Sequence, residues 1–124
     1  MPRTKLELSI FGETDVGMVR EGNEDSFIAL SDDAAPGPSN ALLIVADGMG
    51  GHRGGEVAAA LAVSTTLARF DGSSRTGLVR AVVAANRAIL DRSLVDENLL
   101  GMGTTICAVA VVAGEVGLDH LAVV

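Results

Sequence analysis

Tryptophan and tyrosine are absent from this 124-residue sequence, and Phe11, Phe27 and Phe70 are its only aromatic side chains. A stacking platform for single-stranded nucleic acid needs a series of ring faces, so that class of binding is excluded. Positive charge is also scarce: 9 Lys and Arg stand against 16 Asp and Glu, a net charge of -7. An acidic chain has no sequence-independent attraction to a polyanion, and no nucleic acid partner is expected. The single cysteine, Cys107, excludes an internal disulfide and fits a reducing compartment. Its place in the apolar run 104–112 makes it read as a buried, inert thiol. No apolar stretch reaches the ~20 residues of a membrane span, and residues 1–7 carry charges where a leader needs an apolar centre. A cytoplasmic, monomeric chain without a membrane segment is therefore expected.

What is present is enough apolar residue, 48%, to bury a core, in a length that suits one domain over residues 1–124. Residues 6–13 alternate with a period of two and predict a strand with one buried face. Residues 14–22 read as a loop and 26–30 as a second strand. Pro36, Gly37, Pro38, Ser39 and Asn40 mark a surface loop over 32–40. The continuous apolar run 41–46 predicts a strand buried on both faces, ending at Asp47-Gly48. Alanine and leucine spacing predicts a helix over about 55–69, with Glu56 in its first turn where the helix dipole favours an acid. Ser74 is a candidate N-cap for a second helix ending near Arg92. A polar connection over 93–103, a strand over 104–112, a turn at 113–115 and a strand over 118–124 complete the order. Strands followed by two helices and more strands predict an α+β layered arrangement with an antiparallel sheet. The last strand has no closing turn, which predicts a chain cut short of its natural edge.

Two glycine-flanked acidic clusters stand out, Asn23-Glu24-Asp25 and Asp47-Gly48-Met49-Gly50-Gly51. Carboxylates beside turn glycines are how a chain brings hard oxygen donors and its own backbone up to a divalent cation. An Asp-Gly pair by itself is an ordinary turn. Its position at the end of a core strand, with a second acidic cluster upstream, favours the metal. Glu24 and Asp25 are neighbours, so their side chains leave on opposite faces; one is expected to bind an ion directly and the other to support it. Arg20 offers a planar fork for a phosphate. Gly48 to Gly55 lack the lysine of a nucleotide-binding P-loop.

These residues carry a resemblance. Thr14-Asp15-Val16-Gly17, Arg20 and Asn23-Glu24-Asp25-Ser26-Phe27 resemble the first signature of the PPM family, the metal-dependent serine/threonine phosphatases similar to type 2C. Val45-Ala46-Asp47-Gly48-Met49-Gly50-Gly51-His52 resembles the second, and Gly101-Met102-Gly103-Thr104-Thr105 a third, structural one. Met49 and the Gly50-Gly51-His52 ending are similar to bacterial members; eukaryotic members carry a histidine where Met49 stands.

The resemblance implies a four-layer α-β-β-α sandwich with two central, mainly antiparallel sheets, of which this chain is the N-terminal portion. It implies a binuclear Mn2+ or Mg2+ centre in which Asp47 bridges the ions and Gly48 lends its carbonyl. Glu24 then binds directly or through water, Asp25 supports the water shell and Arg20 holds the substrate phosphate. Two such ions polarise a phosphoryl group and activate water, so hydrolysis needs no side-chain nucleophile. The partners implied are proteins bearing phosphoserine or phosphothreonine, and a serine/threonine kinase sharing those substrates. Further aspartates that complete the family's metal centre lie beyond the matched motifs, so weak or absent activity is expected of this portion alone. The alternative reading is a non-catalytic, phosphate-recognising regulatory or binding module.

Overall fold

The structure is a computed structural model that describes residues 8–18, 22–50, 53–114 and 117–123, with the backbone alone over 113–123. Its elements are β1 (Asp25–Ser31), β2 (Ser39–Met49), α1 (Gly54–Arg69), α2 (Arg75–Val95), β3 (Gly103–Thr104), β4 (Cys107–Gly114) and β5 (Gly117–Val123). Short 3-10 turns occupy Asp32–Ala34 and Glu97–Leu99. Among the described residues all pairings are antiparallel, in the order β1-β2-β4-β5, with β3 extending the β2 ladder. The α+β architecture with an antiparallel sheet is the one expected.

Both helices pack on one face of the sheet. Leu42, Ile44 and Ala46 alternate along β2 and are fully buried, as are Ala108 and Ala110 on β4. They meet Ala59, Ala62 and Val63 of α1 and Leu78 and Ala81 of α2. The many alanines on both sides let backbones approach closely, while burying each of Leu42, Ile44 and Leu78 contributes about 1.5–3 kcal/mol. Ser74 caps α2 as expected, its side chain accepting the Gly77 N–H at 3.0 Å.

Five sequence expectations are corrected. The run 41–46 is not buried on both faces: Val45 is 58% exposed, because the helices cover only one side. Cys107 sits directly opposite Val45 and shares its exposure, so it is not a buried thiol. Among the described residues, 8–13 form no ladder; Leu8 and Ile10 are half-buried around exposed Ser9, so the alternation survives without a strand partner there. The remaining two residues of that predicted strand lie outside the described residues. α2 continues to Val95, one turn past the expected end, since no breaker precedes Asp96, whose side chain accepts the Asn98 N–H to start the next 3-10 turn. The predicted strand 104–112 divides into β3 and β4 around Thr105, which turns its hydrogen bonds to Asp47. Among the described residues, no helix is long and apolar enough to cross a membrane.

Candidate metal centre

Asp47 lies near the end of the central strand, and the β1–β2 register sets it directly opposite Asp25. Cross-strand partners share a sheet face, and here it is the face away from the helices, in line with Val45 and Phe27. Both carboxylates are exposed and line one cleft of about 260 Å³ with Gly12, Glu13, Thr14 and Phe27. Two like charges directly opposite each other repel. A cation between them reverses that sign, and hard oxygen donors suit Mg2+ or Mn2+.

Three hydrogen bonds with the distant Thr105 hold the Asp47 backbone. Thr105 N–H donates to the Asp47 carbonyl at 2.9 Å, the Thr105 hydroxyl donates to the same carbonyl at 3.3 Å, and Asp47 N–H donates to Thr105 Oγ1 at 3.2 Å. The third motif thus fixes the second. Asn23 performs the same service upstream: its Oδ1 accepts the Asp25 N–H at 2.9 Å and its Nδ2 donates to Thr14 Oγ1 at 2.9 Å. It ties the 12–14 segment to the strand that carries Asp25. The signal for that role was present in the sequence, since an asparagine two residues before a strand start forms an Asx-type turn.

Glu24 is separated from this cleft. It is half-buried, and its carbonyl accepts the Gly48 N–H at 3.1 Å. Its carboxyl group lies against Gly55 in the first turn of α1, 2.7 Å from where a Cβ would stand. A Cβ on Gly48 would fall 1.9 Å from the Gly55 carbonyl oxygen and 2.9 Å from that of Glu24. The missing side chains at 48 and 55 are what allow strand end, helix start and Glu24 to meet. Glu24 and Asp25 therefore occupy different environments on either side of β2, as neighbours in an extended chain must.

Among the described residues, no group of three or more His, Cys, Asp or Glu side chains has an arrangement able to hold a metal ion. The Asp25–Asp47 pair fits the donor chemistry of a hard dication. Arg20, the predicted phosphate ligand, and His52 lie outside the described residues.

The fold is similar to those of solved bacterial serine/threonine phosphatases. The crystal structure of the Mycobacterium tuberculosis serine/threonine phosphatase PstP/Ppp superposes with a TM-score of 0.63 at 39% identity, covering 77% of this chain and 39% of that one. The PPM Ser-Thr phosphatase MsPP from Mycobacterium smegmatis, solved with cacodylate, gives 0.60 at 37% identity over 82% of this chain and 39% of that one. In sequence, the chain is 38% identical to the M. tuberculosis serine/threonine protein phosphatase PstP over 126 aligned positions, 98% of this chain and 23% of that protein. It is 35% identical to the serine/threonine phosphatase stp of Listeria monocytogenes over 87% of this chain and 44% of that protein. No protein-family model matches the sequence. The chain is thus related over most of its length to the bacterial PPM-type serine/threonine phosphatases, and it spans between about a quarter and a half of the curated relatives it matches.

Proposed function

We propose that the chain forms part of a phosphatase that hydrolyses phosphoserine and phosphothreonine in proteins with the help of Mn2+ or Mg2+. The observation that carries this reading is the cross-strand pair of Asp25 and Asp47, exposed at the end of β2 in a cleft, in a chain related to named phosphatases. Asp47, with Asp25 facing it and the Gly48 carbonyl beside it, would hold the metal; Glu24, set back from that cleft against Gly55, would reach it only through water. When bound, dications supply Lewis-acid polarisation of the phosphoryl group and activation of water. Thr105 holds the Asp47 backbone and Asn23 that of Asp25, so these donors are oriented before any ligand arrives. Arg20 would take the substrate phosphate. The half-exposed outer face of the sheet, with Phe27, Val45 and Leu43, suits the second sheet of a four-layer sandwich, of which this chain is the N-terminal portion. A cytoplasmic location, a monomeric state and a serine/threonine kinase acting on the same proteins belong to the same reading.

The test is Mn2+ titration of the chain followed by calorimetry and by electron paramagnetic resonance, alongside hydrolysis of a phosphothreonine peptide. Manganese uptake that weakens at least tenfold in Asp47→Asn supports the metal site. Absence of uptake in the wild type defeats it. Uptake without turnover favours the non-catalytic phosphate-recognising module.

A further inference from the structure

A second cavity, about 410 Å³, opens between the start of α1 and the end of α2, lined by Arg53, Val57, Arg92, Asp96, Asn98 and Leu99. The two helices are joined by the short link 70–74 and pack against each other, so the first turn of one lies beside the last turn of the other. Two arginines from different elements therefore line one cavity in a protein of net charge -7. Neither is used up internally. Arg53 lies 3.7 Å from Glu56, with both side chains largely exposed, a contact worth little. Arg92 makes no ion pair among the described residues, and Asp96 pairs with neither arginine, its carboxylate accepting the Asn98 N–H at 3.0 Å instead.

The lining is the complement of an acidic residue within a peptide. Guanidinium forks bind carboxylate or phosphate oxygens in pairs. Asp96 and the Asn98 amide offer partners for backbone groups on either side. The volume corresponds to about fourteen waters at ~30 Å³ each, more than an isolated ion needs and enough for an acidic side chain with its flanking backbone. The cavity lies at the Asp47 end of the sheet, since α1 begins only five residues after β2 ends at Met49, but on the helix side, opposite the face that carries the Asp25–Asp47 cleft.

We propose that the Arg53–Arg92 cavity is a subsite for the oxyanion of an acidic side chain, carboxylate or phosphate, in a part of a protein substrate remote from the phosphoresidue. This rests on the phosphatase reading for its purpose, but binding at the cavity requires neither metal nor turnover. The experiment is an amide and arginine Nε–H NMR titration of the metal-free chain at low salt with a glutamate-rich peptide, its glutamine counterpart, a phosphoserine peptide and inorganic phosphate. Saturable shifts at Arg53, Arg92 and Asn98 are expected, with dissociation constants of about 1 mM for the acidic peptides. Inorganic phosphate should bind more weakly than either acidic peptide, and the glutamine peptide should not bind. The Arg53→Gln/Arg92→Gln double variant should weaken binding at least tenfold, whereas Arg87→Gln, on α2 but paired with Asp91, should leave it within twofold. Equal response to the glutamine peptide, or undiminished binding by the double variant with an otherwise unchanged spectrum, overturns the proposal. Binding here combined with no metal uptake at Asp47 removes the phosphatase reading and leaves an acidic-peptide site. Metal uptake and hydrolysis without binding here remove the subsite alone.

Discussion

Replacing Gly48 by alanine tests the joint on which the candidate centre is built. The new Cβ would stand 1.9 Å from the Gly55 carbonyl oxygen, where real contacts stay above 3.0 Å, so a shift of about 1.1 Å is required. Neither obstruction is a side chain that can swing aside: one is the first turn of α1 and the other is the Glu24 carbonyl, 2.9 Å away. Overpacking of this kind costs about 1–3 kcal/mol, and displacing the Gly48–Glu24 hydrogen bond adds about 1 kcal/mol. The sum, about 2–4 kcal/mol, is a large share of the 5–15 kcal/mol typical of a domain. In urea, with a slope of about 1–3 kcal/mol/M, the midpoint should fall by about 1–2 M. Gly55→Ala should lose less, because a helical alanine regains about 1 kcal/mol over glycine and part of its obstruction is the movable Glu24 carboxylate. Gly22→Ala, which meets nothing within 4 Å, is the control and should lie within about 0.5 kcal/mol of wild type. A Gly48→Ala midpoint as close to wild type as that control would refute the packing argument for this glycine.

Thr105→Val removes two of the three hydrogen bonds on the Asp47 backbone while keeping the main-chain one; a loss of about 1 kcal/mol and faster hydrogen exchange at the Asp47 amide are expected. Ser74→Ala deletes the cap of α2 and should cost about 1 kcal/mol, read as a lower thermal midpoint, while Ser74→Asp should restore it. Asp71 accepts hydrogen bonds from the Ser73 hydroxyl at 2.7 Å and the Ser73 N–H at 2.9 Å, which hold its carboxyl below the ordinary value. A depressed folded pKa stabilises above the unfolded carboxylate value of about 3.9 and loses that effect as pH falls through the folded one. Carbon-detected NMR titration of Ser73→Ala should therefore move the Asp71 midpoint upward, and an unmoved midpoint counts against the hydroxyl as its main cause.

Local pattern carried much of this protein, because periodicity, caps and breakers act on the backbone that bears them. The helix over 54–69, the cap at Ser74, the strand leading into Asp47-Gly48 and the acidic clusters themselves were legible in residue order. What residue order could not carry is anything that depends on a partner far along the chain. The run 41–46 looks doubly buried until the helices are seen to cover one face, and residues 8–13 look like a strand until no ladder among the described residues claims them. Asp25 and Asp47 became a pair only through the β1–β2 register, and Thr105 reached Asp47 across 58 residues. The Arg53–Arg92 cavity arose from two helix ends that the short link folds back beside each other. Side-chain chemistry thus belongs to the sequence, but which groups share a face, a cleft or a charge environment is set by long-range packing and register, whose energies no local window contains.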